Sequence, residues 1–198
     1  ILDIVDRNAI AAKGFEIVVD SINGAGCGIT KQLLEELGCC VIGINDEPTG
    51  LFAHTPEPTA ENLTGLCDEV KARGADIGFA QDPDADRLAI VDEAGSYIGE
   101  EYTLAMAAKY VFSKQQGGAA TNLSTSRMID DIAEEACCKV IRTPVGEANV
   151  AGAMVEHACV IGGEGNGGII DLRISPVRDS LVGIALVLQL MSETGKSV

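Results

Sequence analysis

The sequence predicts an α/β fold built from two similar three-layer halves with mixed sheets, related by internal duplication. Short β-rich runs alternate with amphipathic helical segments along the whole chain. The pattern starts again near residue 119, after a Gln/Gly-rich stretch at 114–118 that reads as a linker. Local words recur as well, Glu35-Glu36-Leu37-Gly38-Cys39-Cys40 against Glu134-Glu135-Ala136-Cys137-Cys138, about half a chain apart. Two domains are therefore expected, over 1–114 and 119–198.

The first half opens on a buried strand at 16–20 (EIVVD) and a glycine-rich turn. Ile29, Leu33, Leu34 and Leu37 then share one helical face, and Gly38 stands where a left-handed residue closes the helix. A strand at 41–44 and a proline-bearing loop at 47–58 precede a helix that turns Leu63, Leu66, Cys67 and Val70 inward. Strands at 76–80 and 88–91 follow, with a polar turn at 92–96 and a helix of some fifteen residues from Glu100. In the second half, 119–122 reads as strand, 126–137 as helix and 139–142 as strand. A helix with Val150, Ala153 and Met154 inward, strands at 159–162 and 169–171, and a closing helix at 179–191 complete it.

Composition narrows the function. With 30 Asp+Glu against 14 Lys+Arg, the chain of 198 residues carries a formal charge of −16, the wrong sign for a phosphate backbone. Four Phe, three Tyr and no Trp leave little for base stacking. A nucleic-acid partner is excluded on this basis. The longest apolar run, 181–191, is short of the roughly 20 residues a membrane span needs. No basic start leads into an apolar segment, so no signal peptide is read. The chain starts at Ile1 rather than Met, which suggests an excised piece. Seven cysteines, an odd count without a CxxC spacing, read as small, mostly buried apolar residues in a reducing cytoplasm.

Ligands of open α/β sheets bind beyond the carboxyl ends of the strands, so the loop after the third strand of each half is the place to look. In the first half, Asp82-Pro83-Asp84-Ala85-Asp86-Arg87 sets three carboxylates at alternate positions directly after a strand. Pro83 discourages continued pairing, and a curled loop can turn the three oxygens on one point. Such a set calls for a hard divalent cation, Mg²⁺ or Ca²⁺; a solvated acidic turn is the plainer alternative. An EF-hand is rejected, because Arg87 sits where that loop needs Gly. In the second half, Gly162-Gly163-Glu164-Gly165-Asn166-Gly167-Gly168 has two readings. Asn166-Gly167 suits a type I′ hairpin turn; alternatively Glu164 and Asn166 bond ligand hydroxyls while the glycines admit a close approach. The position matching the aspartate loop favours the second reading.

Three other stretches have structural readings. Gly24-Ala25-Gly26-Cys27-Gly28 follows a strand as a dinucleotide fingerprint would, but Ile29 stands where the third glycine belongs, so a tight β–α turn is expected. Ser124-Thr125-Ser126 is read as an N-cap. His54 and His157 have no evident acid–base partner in the sequence and are taken as structural.

DPDADR after DIGFA resembles the metal loop of the α-D-phosphohexomutases, the phosphoglucomutase/phosphomannomutase/phosphoglucosamine mutase group. VVDSINGAG, PEPTAENL, RTPVGEANV, GGEGNGGII and RDSLVGIALVLQLM agree in the family's order, over nearly the whole chain. Members have four domains, and this chain resembles the second and third. The resemblance implies that Asp82, Asp84 and Asp86 hold Mg²⁺ and that Arg87 sits beside the transferring phosphoryl group. It places Glu164, Gly165 and Asn166, with Thr143 and Gly146 of a neighbouring loop, against a hexose or hexosamine 1- or 6-phosphate. The phosphoserine would come from the missing domain 1 and the basic phosphate-binding loop from the missing domain 4, so the chain alone is expected to be inactive. Pro144 stands where many members have Lys, and Asn166-Gly167-Gly168 replaces a common Ser-Gly-His. The alternative from another class is a non-catalytic nucleotide- or metal-binding α/β module.

Overall fold

The computed structural model describes residues 1–198. A short helix α1 (Arg7–Ala11) leads into β1 (Glu16–Asp20), α2 (Cys27–Glu36), β2 (Cys40–Ile44), α3 (Thr64–Arg73), β3 (Ile77–Gln81) and β4 (Leu88–Val91). Then come α4 (Glu101–Lys114), β5 (Gly118–Asn122), α5 (Met128–Glu135), β6 (Lys139–Thr143), α6 (Glu147–Glu156), β7 (Ile161–Gly163), β8 (Ile169–Ile170) and α7 (Ser180–Thr194).

Both halves carry a four-stranded sheet of the same topology, in the orders β2-β1-β3-β4 and β6-β5-β7-β8. The central strand of each pairs in parallel with two neighbours, and an antiparallel strand closes one edge. The register makes the duplication residue-specific: Glu16 opposite Cys40 corresponds to Gly118 opposite Lys139, and Asp20 opposite Ile44 to Asn122 opposite Thr143. The recurring words superpose from their first residue, Glu35 on Glu134, and only the cysteine pairs are out of step by one. Gly38 (φ +78°) and Cys137 (φ +54°) occupy the same left-handed helix end, so Cys39 matches Cys138 rather than Cys40.

Burying an aliphatic side chain contributes about 1.5–3 kcal/mol, and each sheet does so on both faces. Outer helices α3 and α6 cover one face of each sheet, α3 through Leu66 and Val70, α6 through Val150 and Met154. The inner faces share α4 and α7 between them, with α2 beside them on the first sheet and α5 on the second. Apolar almost all round, α7 sends Ile184, Ala185, Val187, Leu188 and Met191 into the core of the first sheet. Its Val182 and Leu186 enter the core of the second, with Leu104, Ala108 and Val111 of α4. No helix is long and apolar enough to cross a membrane.

Several expectations need correction. Ile29 is 49% exposed; Thr30 turns inward in its place because its hydroxyl donates to the buried Gln81 Oε1 (3.0 Å). Helix α5 starts at Met128 rather than Ser126; Ser124 and Thr125 donate to Asn122 Oδ1, and of the three only Ser126 accepts a first-turn amide, from Met128 N (3.4 Å). Asn166-Gly167 does not form a two-residue I′ turn. Glu164 N donates to Gly168 O and Gly167 N to Glu164 O, which makes a three-residue loop with Gly167 left-handed (φ +87°). Of the cysteines only Cys27 and Cys159 are buried, while Cys40 and Cys137 are exposed and the rest half-buried.

Candidate functional site at the seam of the two sheets

The glycine-rich turn after β1 is a seat for the aspartate loop. Ala25 N donates to Pro83 O (2.8 Å), and a Cβ on Gly24 would overlap that carbonyl. A Cβ on Gly26 would strike the Gln81 amide. Gln81 is itself fully bonded in the interior: Ser21 and Thr30 donate to its Oε1, and its Nε2 donates to Ser180 at the start of α7 (2.7 Å). Ser180 in turn donates to Ala85 O (2.6 Å), so the far half of the chain pins the middle of the loop. Ala85 is held left-handed at φ +61°.

Within that frame the three aspartates differ in what they do. Asp82, 2% exposed, accepts from the amides of Asp86 and Arg87 through Oδ1 (3.1 Å each) and from Arg87 Nε through Oδ2 (2.6 Å). These donors hold its carboxyl below the usual range against the upward pull of burial. Asp84 is exposed and Asp86 half-buried. Burial and the neighbouring Asp82 push Asp86 up to about 6. The three side chains present oxygens within 4.8 Å of one another, a donor set that fits a hard divalent cation such as Mg²⁺.

Arg87 crosses from this loop to the proline-bearing one, where Nη1 donates to Glu57 Oε1 (2.6 Å). Glu57 is half exposed, so solvent screens this two-point contact, in which Nη2 also donates to Oε2 (3.3 Å), more than it does the pair with buried Asp82. His54 also differs from its sequence reading, which gave it no acid partner. Its Nε2 lies 3.0 Å from buried Asp20 Oδ2, and Nδ1 2.9 Å from Thr55 O, fixing the same loop against the end of β1.

The second glycine-rich loop lies directly against the first. Leu88 N donates to Gly167 O (3.1 Å), and Arg87 and Gly168 form an antiparallel bridge. Cβ atoms on Gly167 and Gly168 would overlap the Leu88 carbonyl and the Arg178 side chain. Glycine is needed here to let two loops meet. Glu164, 3% exposed, accepts from Asn122 Nδ2 (2.6 Å) and Gly146 N (3.4 Å) through Oε1 and from Arg178 Nη1 (2.8 Å) through Oε2. Gly165 N donates to Thr125 Oγ1 (3.0 Å). The fold thus brings Gly146 to the Glu164 carboxylate, while Gly165 is turned to Thr125 instead. Thr143 is nearby in sequence but buried, donating to Pro144 O, and Asn166 Oδ1 accepts from its own loop at Gly168 N.

Sequence reasoning missed Arg178, Asn122, Glu57 and Glu100. Arg178 donates to Glu164 and ion-pairs with Asp86, and its amide donates to Glu147 Oε1 (2.8 Å). Its signal was available: a basic residue immediately before Asp179, whose side chain caps α7, in a chain with few cations. Glu100 starts α4 beside the site, and its Oε1 is buried without a hydrogen-bond partner. Burial raises its carboxyl to about 7, with Arg87 pulling the other way.

A pH dependence follows with a defined sign. A carboxyl whose folded pKa is raised binds protons in the native state that the unfolded chain has released. Stability from Glu100 and Asp86 is therefore present below the ordinary range near 4.5 and 3.8 and is lost as pH rises through about 6 to 7. Thermal melts from pH 4.5 to 7.5 should show this decline, and Glu100→Gln should flatten it; an unchanged slope in that variant would assign the decline elsewhere. A cavity of about 580 Å³ lies elsewhere, against Tyr102, Met106, Met128, Ile132 and Leu190, and none of the residues of this face lines it.

Comparison with known proteins agrees with this geometry. Residues 1–95 match the family model for phosphoglucomutase/phosphomannomutase α/β/α domain II, and residues 99–198 that for domain III. A phosphoglucomutase/phosphomannomutase of Thermococcus kodakarensis is 43% identical over 97% of this chain and 42% of its own length. A Methanopyrus kandleri protein assigned as a phosphoglucosamine mutase is 38% identical over 98% of this chain and 43% of its own. A Thermus thermophilus crystal structure, assigned as a phosphomannomutase, superposes with a TM-score of 0.91 at 30% identity, covering 98% of this chain and 46% of that one. The chain thus spans less than half the length of the curated relatives it matches. Duplicated sheets, two abutting loops and both domain matches converge: the chain belongs to the α-D-phosphohexomutase family and carries its second and third domains.

Proposed function

We propose that this chain supplies the metal-holding and sugar-holding loops of a Mg²⁺-dependent phosphohexomutase that interconverts 1-phospho and 6-phospho sugars. The observation that carries the reading is the seam itself, where Leu88 bonds Gly167 and Arg178 joins Asp86 to Glu164. That arrangement fixes the two loops at a set separation, as a reaction that must place one phosphoryl group against one sugar requires.

In this reading Asp82, Asp84 and Asp86 hold Mg²⁺, which when bound neutralises charge on the transferring phosphoryl group. Asp82 spends one oxygen on backbone amides and so keeps the loop curled. Arg87 is steered by Asp82 at Nε and exchanges its screened contact with Glu57 for the phosphoryl oxygens. Glu164 orients sugar hydroxyls from a carboxylate preset by Asn122, Gly146 and Arg178, with Gly165, Asn166 and Thr143 shaping the same face. The serine that carries the phosphoryl group and the basic loop that grips the second phosphate belong to domains 1 and 4. We assign residues 1–95 to the metal-holding domain and 99–198 to the sugar-holding one, which moves α4 from the first unit, where the expected bounds of 1–114 and 119–198 put it, to the second. Seven unpaired thiols suit a reducing cytoplasm. A nucleotide-binding module is disfavoured, because Gly24 and Gly26 are taken up in seating Pro83 and Gln81.

An amide NMR titration tests the proposal. Mg²⁺ should shift Asp82–Arg87, and glucose, mannose or glucosamine phosphates should then shift Glu164–Gly168, in an order that ranks the sugars. A coupled mutase assay on the 198 residues should show no turnover. Silence at both loops would defeat the site assignment, and turnover would defeat the placing of the nucleophile outside this chain.

A further inference from the structure

We infer that Arg178 is a positioning residue that couples occupancy of the aspartate loop to the orientation of Glu164, an inference that rests on the proposed metal and sugar roles of those two loops. Arg178 precedes α7, outside both loops, yet its guanidinium spans them. Nη2 pairs with Asp86 Oδ2 and Nη1 donates to Glu164 Oε2 (2.8 Å). Its third nitrogen, Nε, is buried and makes no hydrogen bond, although Glu147 Oε2 stands 3.5 Å away. Glu147 Oε1 instead holds the Arg178 backbone N–H, which fixes the root of the side chain. Gly168 leaves room for the stem, since a Cβ there would strike Arg178 Cδ.

This geometry makes one cation answer to two carboxylates that serve different ligands. A divalent cation drawing on Asp86 competes with Nη2 for the same carboxylate. The guanidinium is planar and its nitrogens are fixed to one another, so a change at Nη2 is felt at Nη1. Glu164 Oε2 then moves with it, and Oε1 carries the change to its own donors, Asn122 Nδ2 and Gly146 N. The transmission is reciprocal by linkage: a ligand that engages Glu164 alters the cation affinity of the aspartate loop by the same factor. A lysine keeps the charge but offers a single ammonium that cannot fix two carboxylates in one plane.

The test follows the Gly146 amide and the Asn122 side-chain amide by NMR while Mg²⁺ is added to the full 198-residue chain and to Arg178→Lys. Both signals should shift with metal in the wild type, in parallel with Asp82–Arg87. In the lysine variant the aspartate-loop shifts should persist, and those at Gly146 and Asn122 should be lost. Aspartate-loop shifts in the wild type with Gly146 and Asn122 unmoved would overturn the coupling and leave the proposed metal site standing. Equal movement of the two reporters in Arg178→Lys would also overturn it, assigning transmission to the Leu88–Gly167 backbone contact. No metal response at Asp82–Arg87 would remove the metal reading and the coupling together. Where the lysine variant does not fold, the wild-type arm alone decides.

Discussion

Asp84→Asn is expected to weaken Mg²⁺ binding at least about tenfold, the scale on which even residues behind a metal ligand act, while leaving stability nearly unchanged. Asp84 is exposed, so its loss stays within about 0.5 kcal/mol, or roughly 2 °C in Tm for a chain of this size. Asp82→Ala should behave in the opposite way. Its carboxylate is buried and satisfies two loop amides and the Arg87 Nε, and Arg87 keeps only the half-exposed Glu57 and a distant Asp86 (3.9 Å) when it is gone. Breaking such a pair costs about 3–5 kcal/mol, which at 2–4 °C per kcal/mol lowers Tm by roughly 6–20 °C. Calorimetry on both variants, each with and without Mg²⁺, separates the roles. Equal stability losses would show that the three aspartates act as one interchangeable cluster.

Gly167→Ala carries the second large effect. At φ +87° an alanine there costs about 1–2 kcal/mol in backbone strain alone. Its Cβ would also overlap the backbone of Leu88, which no rotamer change relieves, adding about 1–3 kcal/mol of overpacking. A combined loss of about 2–5 kcal/mol is expected. The Leu88 N–Gly167 O bond should open with it, read as faster amide exchange at Leu88. Gly65→Ala is the control: it lies in the first turn of α3 with open space around its Cβ, so it should be neutral or slightly stabilising. A Gly167→Ala variant as stable as that control would remove the close approach of the two loops as a determinant of the fold.

The elements were legible because each sheet is buried on both faces, so its strands are short apolar runs that periodicity alone exposes. The aspartate loop was legible for a different reason: its three carboxylates are local in sequence, and their mutual repulsion needs an explanation wherever they stand. The residues that complete the site were not local. Arg178 lies 92 residues from Asp86, and Asn122 lies 42 from Glu164. Neither partner contains a pattern that announces the other. Ile29 failed for a related reason, since helical spacing assigns it inward but the inward place above Gln81 demands a hydroxyl. The glycines of 162–168 look in sequence like a simple hairpin. Their real constraint is the backbone of another loop, 79 residues earlier, which only the packed chain supplies.

The position of α7 between the sheets bears on how the chain matures. The first sheet places Ile17, Val19, Phe79 and Ile90 against α2 and against a helix that begins at Ser180, so its inner face is only partly covered until α7 has been made. During synthesis those apolar strands must wait, half sealed by α2, through the making of an entire second sheet. Contacts so distant along the chain slow the search for the native state and lengthen the interval in which it can associate wrongly. The same topology joins the fates of the halves. Each has only one inner helix of its own, α2 or α5, and shares the rest, so neither can unfold without exposing part of the other.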